Sequence, residues 1–313
     1  MKSETAGAPS AKLADAPSAI SAAVSAASIG GAAARLGRRL FGRRTAGVDR
    51  MAFGLVALLT IAAVVGPFVT PYDPFAVETS EALRPPSAAH LLGTDDVGRD
   101  VLSRLLAGAG LTLLSAAAIV VLAAAVGIVV ASVAALLPRR ADEAIMRACD
   151  IFMSIPSLVL ALGLAAALGP SMLSIIVAMV AASWPSTARL MRGILRETMS
   201  SSYVESARIL GMSRPRLMLR HVLPNSLDAI YVQASMEISG TIVMISGLAF
   251  LGVGAPPPSP DWGSMIAEGQ QYTTTAWWIS LFPGLAISLG AIAFGLVGDA
   301  VRSFVDPSSR RSS

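Results

Sequence analysis

The stretch LLAGAGLTLLSAAAIVVLAAAVGIVVASVAALLP, residues 105–138, holds 34 consecutive positions without a charged side chain. As an α-helix rising 1.5 Å per residue it would run about 50 Å. The hydrocarbon core of a bilayer is about 30 Å thick. A water-facing helix keeps one polar side, and this one has none. It reads as a membrane span that tilts or projects beyond one face.

Outward from it, the same pattern repeats. Uncharged runs cover 51–72, 151–188, 238–260 and 269–298. The second of these is interrupted by Gly169-Pro170, a turn signal that divides it into two spans. The helix of the third is expected to start near Asn225. Six helices follow, at about 51–71, 105–137, 145–167, 172–190, 226–250 and 277–300. The composition agrees: of 313 residues, 54% are hydrophobic and 14% charged, with a mean hydropathy of +0.66. Soluble domains carry roughly 25% charged residues. The fold class is an all-α integral membrane protein with six transmembrane helices.

Six spans place both termini on one side. That side holds 21 of the 24 Lys and Arg, whereas Arg84, Arg99 and Arg104 lie on the other among eight Asp and Glu. Positive charge accumulates in cytoplasmic loops, so both termini and the 189–225 loop are expected in the cytoplasm of a bacterial inner membrane protein. Trp277 and Trp278 would open the last span in the outer aromatic belt. The basic pI of about 9.7 reflects this orientation, because the arginines flank spans and lack the interleaved aromatics of a nucleic-acid surface. The single Cys149 excludes an internal disulfide. His90 and His221 stand far apart with no cysteine cluster, so no metal site and no cofactor are expected.

Residues 1–47 read as a disordered cytoplasmic tail, rich in Ala, Ser and Gly and poor in large apolar side chains. A signal peptide would carry its charges before the apolar part. Here RLGRRLFGRR follows SAISAAVSAASIGGAAA.

Between the fourth and fifth spans lies YVESARILGMSRPRLMLRHVLPN, residues 203–225, with four arginines and a histidine. Ser202 and Glu205 fit a capping box. Gly211 suits the left-handed position that ends a helix. A second helix can begin at Ser213, with Pro215 in its first turn, and should stop before Pro224. On these features alone the segment could be a solvated loop or a docking platform.

Its order, Glu205, Ala207, Gly211, then Leu223-Pro224, resembles the EAA loop of permease subunits of binding-protein-dependent ABC importers. The family pattern has Ala where this chain has Ser206, and Ile where it has His221. LLGTDDVGRDVLSRLLAGAGLTL (91–113), DIFMSIPSLVLAL (150–162) and GLAFLGVGAPPPSPDWGSMIAEG (247–269) with WWISLFPGLAI (277–287) are similar to the C-type subunit of the dipeptide, oligopeptide and nickel branch. The resemblance covers about 50–307. It implies an ABC type I importer permease fold: a first span at 48–72, an extracytoplasmic segment at 73–104 with an interfacial helix, a core permease domain at 105–305 with a coupling loop at about 191–225, and a tail at 306–313.

The resemblance further implies a B-type permease subunit, two ATP-binding subunits and an extracytoplasmic substrate-binding protein as partners. It assigns ATPase coupling to Tyr203, Glu205, Ala207, Gly211, Leu223 and Pro224. The chain itself has no lysine beyond Lys12, which rules out a Gly-x-x-x-x-Gly-Lys phosphate loop in the spans, so it is not expected to be an enzyme. The substrate implied is a dipeptide or oligopeptide, with nickel or glutathione as alternatives within the branch.

Three further features are weighed from the residues. GTDDVGRDVLSR (93–104) reads as an interfacial helix capped by Thr94, with Val101, Leu102 and Leu105 toward lipid. Glu237 falls inside the fifth span, where an ionisable group is often functional; in a proton-coupled secondary transporter, the alternative from a different class, it would be the relay. Gly127, Ala131 and Ala135, and likewise Ala286 and Gly290, recur at four-residue spacing that permits close helix approach.

Overall fold

The computed structural model describes residues 46–305, so the expectations for the 1–47 and 306–313 tails lie outside the described residues except at Ala46 and Gly47, which begin the first helix. Among the described residues ten helices follow one another: α1 (Ala46–Val65), α2 (Val101–Leu136), α3 (Arg139–Ser154), α4 (Ser157–Leu168), α5 (Met172–Met199), α6 (Ser202–Ile209), α7 (Arg214–Leu217), α8 (Leu223–Leu248), α9 (Trp262–Gly269) and α10 (Trp278–Val305). No strand occurs among them, only an isolated bridge between Thr94 and Asp100.

Helix starts are set by side-chain caps that satisfy otherwise orphaned N–H groups. The Asp100 carboxylate accepts from Ser103 N, Ser171 Oγ accepts from Ser174 N and Asp261 accepts from Ser264 N. Thr94 therefore does not cap α2: residues 93–100 are non-helical and the helix begins at Val101. Instead Asp95 closes a turn, its Oδ1 accepting from Val97 N and Arg99 N. Gly98, at φ +85°, reverses the chain with the Glu78 carbonyl packed against its Cα. Val101 is fully buried rather than lipid-facing, and Leu102 and Leu105 are half-buried.

Five helical segments are long and apolar enough to cross a bilayer, and the α3–α4 pair, bent by 87°, would be the sixth. The straight helix expected at 145–167 is thus broken. Pro156 disfavours helical backbone at the preceding residue, and Ile155 is extended (φ −92°, ψ 130°). With 12 residues, α4 is about 18 Å long, too short to span alone.

The helix stop expected before Pro224 is also absent. A π-turn at Met218–Val222 joins α7 to α8, and the helical run continues from Arg214 to Val253. The wide turn shifts the hydrogen-bond register, and Pro224, without an N–H to donate, falls in the first turn of α8.

Two buried clusters organise the bundle. One joins α2, α5, α8, α9 and α10 around Ile119, Ile175, Ile242, Leu248 and Trp262. The other joins the second half of α2 to α5 and the 200–222 segment through Ala131, Met191, Leu195, Val204, Leu217 and Met218. Gly127 permits the tight α2–α5 contact, since a β-carbon there would lie 2.7 Å from Thr187 Cβ. The Gly290 position is looser, with its nearest neighbours at 3.7 Å. Trp277 is half exposed. Trp278, by contrast, is buried and donates from Nε1 to Thr94 O at 3.0 Å.

Candidate functional site

Three regions combine polar or exposed chemistry with a defined frame. The first is the 200–222 segment. Ser201 precedes α6 without a side-chain cap bond, so the Ser202–Glu205 capping box does not form; Ser202 already lies inside the helix. Gly211 takes φ +84°, as its position suggested. Its N–H donates to Arg208 O, and Met212 N donates to Ala207 O at 3.2 Å. Ser213 then opens α7, with Leu217 N donating back to Ser213 O.

The inward side of this segment is apolar: Val204, Leu217, Met218 and Val222 are buried against Met191 and Leu195 of α5 and Ala131 of α2. Ala207, Met212 and Leu223 pack against the same cluster. Ala207 is thus partly buried against its own bundle. The outward side carries Tyr203, Glu205 and Pro224, all exposed. The Glu205 carboxylate forms no hydrogen bond or ion pair among the described residues. The most prominent exposed apolar groups of the segment are Ile209 at 80%, Leu210 at 87% and Leu219 at 66% exposure. Their signal is two large apolar residues placed immediately before the glycine stop.

At the base of this segment, Asp142 of α3 is buried and accepts from Arg192 Nε of α5 at 2.6 Å, with Arg196 as a second cationic partner. The pairing fixes the amphipathic α3 to α5. Neither arginine was assigned a role from the sequence, because only the fold brings positions 142 and 192 together.

The second region is a cavity of about 420 Å³ between α2, the α3–α4 corner, α5 and α8. Its walls include Ile119, Met153, Pro156, Met179, Ser183, Thr241 and Met244. Glu237 is the only ionisable side chain lining it among the described residues. Glu237 Oε1 accepts from Gln233 Nε2 at 2.7 Å. The corner at 152–157 is exposed, so the cavity opens to one side.

The third region, at the start of α2, buries an ion cluster. Arg104 donates from Nη1 to Asp95 Oδ2 and to Glu268 Oε2, each at 2.6 Å, and Arg99 Nε donates to Asp95 Oδ2 at 2.6 Å. Asp95, Asp96 and Glu268 approach within 4.8 Å, a spacing that could hold a cation, but the two guanidinium groups already fill it. Burial, and then repulsion from Asp95 and Glu268, raises the Asp96 carboxyl above its ordinary range. This region clamps the loop before α2 to α9; it is not an open ligand site.

Residues 123–311 match the family model described as binding-protein-dependent transport system inner membrane component. The chain belongs to this family. The permease is 41% identical over 253 residues, 81% of its own length and 85% of the relative's, to the probable D,D-dipeptide transport system permease protein DdpC of Escherichia coli (strain K12). It is 42% identical over 258 residues, 80% and 86% of the two lengths, to the dipeptide transport system permease protein DppC of the same strain. It is 39% identical over 256 residues, 80% and 84%, to the di/tripeptide transport system permease protein DppC of Pseudomonas aeruginosa (strain UCBPP-PA14). The family consists of multi-pass transport components rather than enzymes, which accords with the five or six apolar spans of this chain.

Proposed function

We propose that this permease imports peptides, driven by ATP-hydrolysing partner subunits that grip the 200–222 segment from the cytoplasm. The observation carrying this reading is the exposed Ile209–Leu210 knuckle, held by the left-handed Gly211 turn on a segment whose other side is built into the bundle core. An apolar tip on a rigid base can transmit displacement. At about 25 cal/mol per Å², burying even a few hundred Å² of it contributes several kcal/mol.

In this reading the coupling residues divide by task. Tyr203, Glu205 and Pro224 face the ATPase, Gly211 sets the turn, and Ala207 and Leu223 fix the segment to α2 and α5. Ile209 and Leu210 join them as contact residues. Arginine-rich flanks favour the cytoplasmic side for the segment and both termini. A related B-type permease would complete the path, and an extracytoplasmic binding protein would deliver substrate. The names of the relatives favour a di- or oligopeptide as that substrate.

The test is uptake by proteoliposomes carrying the assembled complex. Peptide accumulation on internal or external ATP supply, with no response to an imposed pH gradient, is the result expected. Accumulation driven by the proton gradient without ATP overturns the reading in favour of a secondary carrier.

A further inference from the structure

The cavity beside the α3–α4 corner holds a carboxylate whose chemistry the coupling segment does not use. Glu237 lies 14 residues into α8, about 21 Å along the helix from Leu223, well inside the span. A carboxylate at such depth is costly unless it is paired or faces water. Here one oxygen, Oε1, accepts a single neutral hydrogen bond from Gln233, one turn away on the same helix. The other oxygen has no protein donor among the described residues, and no arginine or histidine pairs with the group there. The carboxylate therefore retains acceptor capacity toward the cavity.

The remaining walls suit a variable apolar ligand. Met153, Met179 and Met244 line three different sides, and methionine is flexible and polarisable enough to fit side chains of differing shape. Ser183 and Thr241 add hydroxyls. A volume of about 420 Å³ lies within the range of small-ligand pockets, roughly 300–1,000 Å³. One fixed negative group among adaptable apolar walls selects for a constant positive group on a variable body.

We propose that Glu237 is a substrate-binding residue in the translocation cavity, and that its carboxylate accepts charge-assisted hydrogen bonds from the α-ammonium of a passing peptide. This rests on the peptide-importer reading above. The ammonium is the one cation common to all unmodified peptides, so a single carboxylate can serve many sequences.

Two measurements on the full complex test it. The first is saturation-transfer NMR without the binding protein, using alanyl-phenylalanine and its N-acetyl derivative. Wild type should bind the free-amine peptide about tenfold or more tightly, the scale of a charge-assisted hydrogen bond, and Glu237→Gln should abolish the difference. Equal binding of the two peptides by wild type overturns the proposal.

The second is uptake with the binding protein present, with ATP hydrolysis recorded in parallel. Glu237→Gln should lower uptake about tenfold while hydrolysis stimulated by the loaded binding protein persists, and Glu237→Asp should recover part of the uptake. Uptake and hydrolysis falling together, with Asp no better than Gln, overturns the proposal and leaves Glu237 a packing residue. If wild type takes up no peptide at all, it is the importer reading itself that fails.

Discussion

Arg104 and Glu268, 164 residues apart, form a two-pronged pair, Nη1 to Oε2 at 2.6 Å and Nη2 to Oε1 at 3.3 Å. Arg104 is buried to 1% exposure and also donates to Asp95. The pair locks the start of α2 to α9. Removing one partner of a buried pair costs about 3–5 kcal/mol when the surviving charge is left unpaired, and less here because Arg104 keeps Asp95. Glu268→Ala should therefore lower the thermal unfolding midpoint of the detergent-solubilised permease by several degrees. Replacing both Arg104 and Glu268 by Met should recover part of the loss. A Glu268→Ala protein melting like wild type would show that the cluster does not hold the loop.

Asp96 supplies a pH signature for the same cluster. Its folded pKa is raised by burial and by Asp95 and Glu268, so the folded state binds its proton more tightly than the unfolded state does. The group therefore disfavours folding at pH above its folded pKa, and this penalty vanishes as pH falls below about 4, the unfolded value. Asp96→Asn should raise the midpoint at pH 7 and leave it unchanged near pH 4. A gain that is the same at both pH values would indicate an effect other than charge.

How much of this was legible in the sequence depends on the range of the interaction. Uncharged runs located the spans, and Gly211 declared its left-handed turn, because both are local properties. The break at Ile155–Pro156 was also local, and Pro156 could have revealed it; the strength of the apolar run outweighed the proline. Pro224 misled in the opposite direction, because a π-turn five residues long absorbs it. Thr94 looked like a cap only while Asp95 was counted as helical. In the fold, Asp95 is held by Arg99 and Arg104, and that pairing turns the chain. The role of Arg192 at Asp142 needed two helices 50 positions apart to meet, so no local pattern could announce it.

Gly211 tests the handle itself. Its position is open, with nothing within 4 Å of where a β-carbon would stand, yet φ is +84°. A substitution therefore strains the backbone without a clash. Left-handed backbone costs roughly 1–2 kcal/mol for an ordinary residue and more for a β-branched one. Gly211→Val should insert normally but reduce ATP-driven uptake severalfold, with Gly211→Ala intermediate. Wild-type uptake by a normally inserted Gly211→Val protein would remove the turn from the coupling mechanism.

Close backbone approach gives a contrasting pair of glycines. At Gly108 a β-carbon would sit 1.8 Å from Pro260 O, whereas at Gly163 it would meet nothing within 4 Å. Overpacking typically costs about 1–3 kcal/mol, so Gly108→Ala should lower the melting midpoint. Gly163→Ala, exposed in α4, should leave it unchanged or raise it slightly through better helix propensity. Thermal unfolding of the two variants side by side distinguishes packing from propensity.

The position and contact of Ile209–Leu210 bear most directly on the claim that the bundle is worked through this knuckle. A Leu210→Cys variant, made in a Cys149→Ser background, can be probed with a membrane-impermeant maleimide. Labelling should be absent in intact spheroplasts, present in inside-out vesicles stripped of ATPase, and suppressed again when the ATPase subunits rebind. Labelling of intact spheroplasts would put the knuckle outside the cell, and undiminished labelling after rebinding would deny the contact; either result contradicts ATP-driven coupling through residues 200–222.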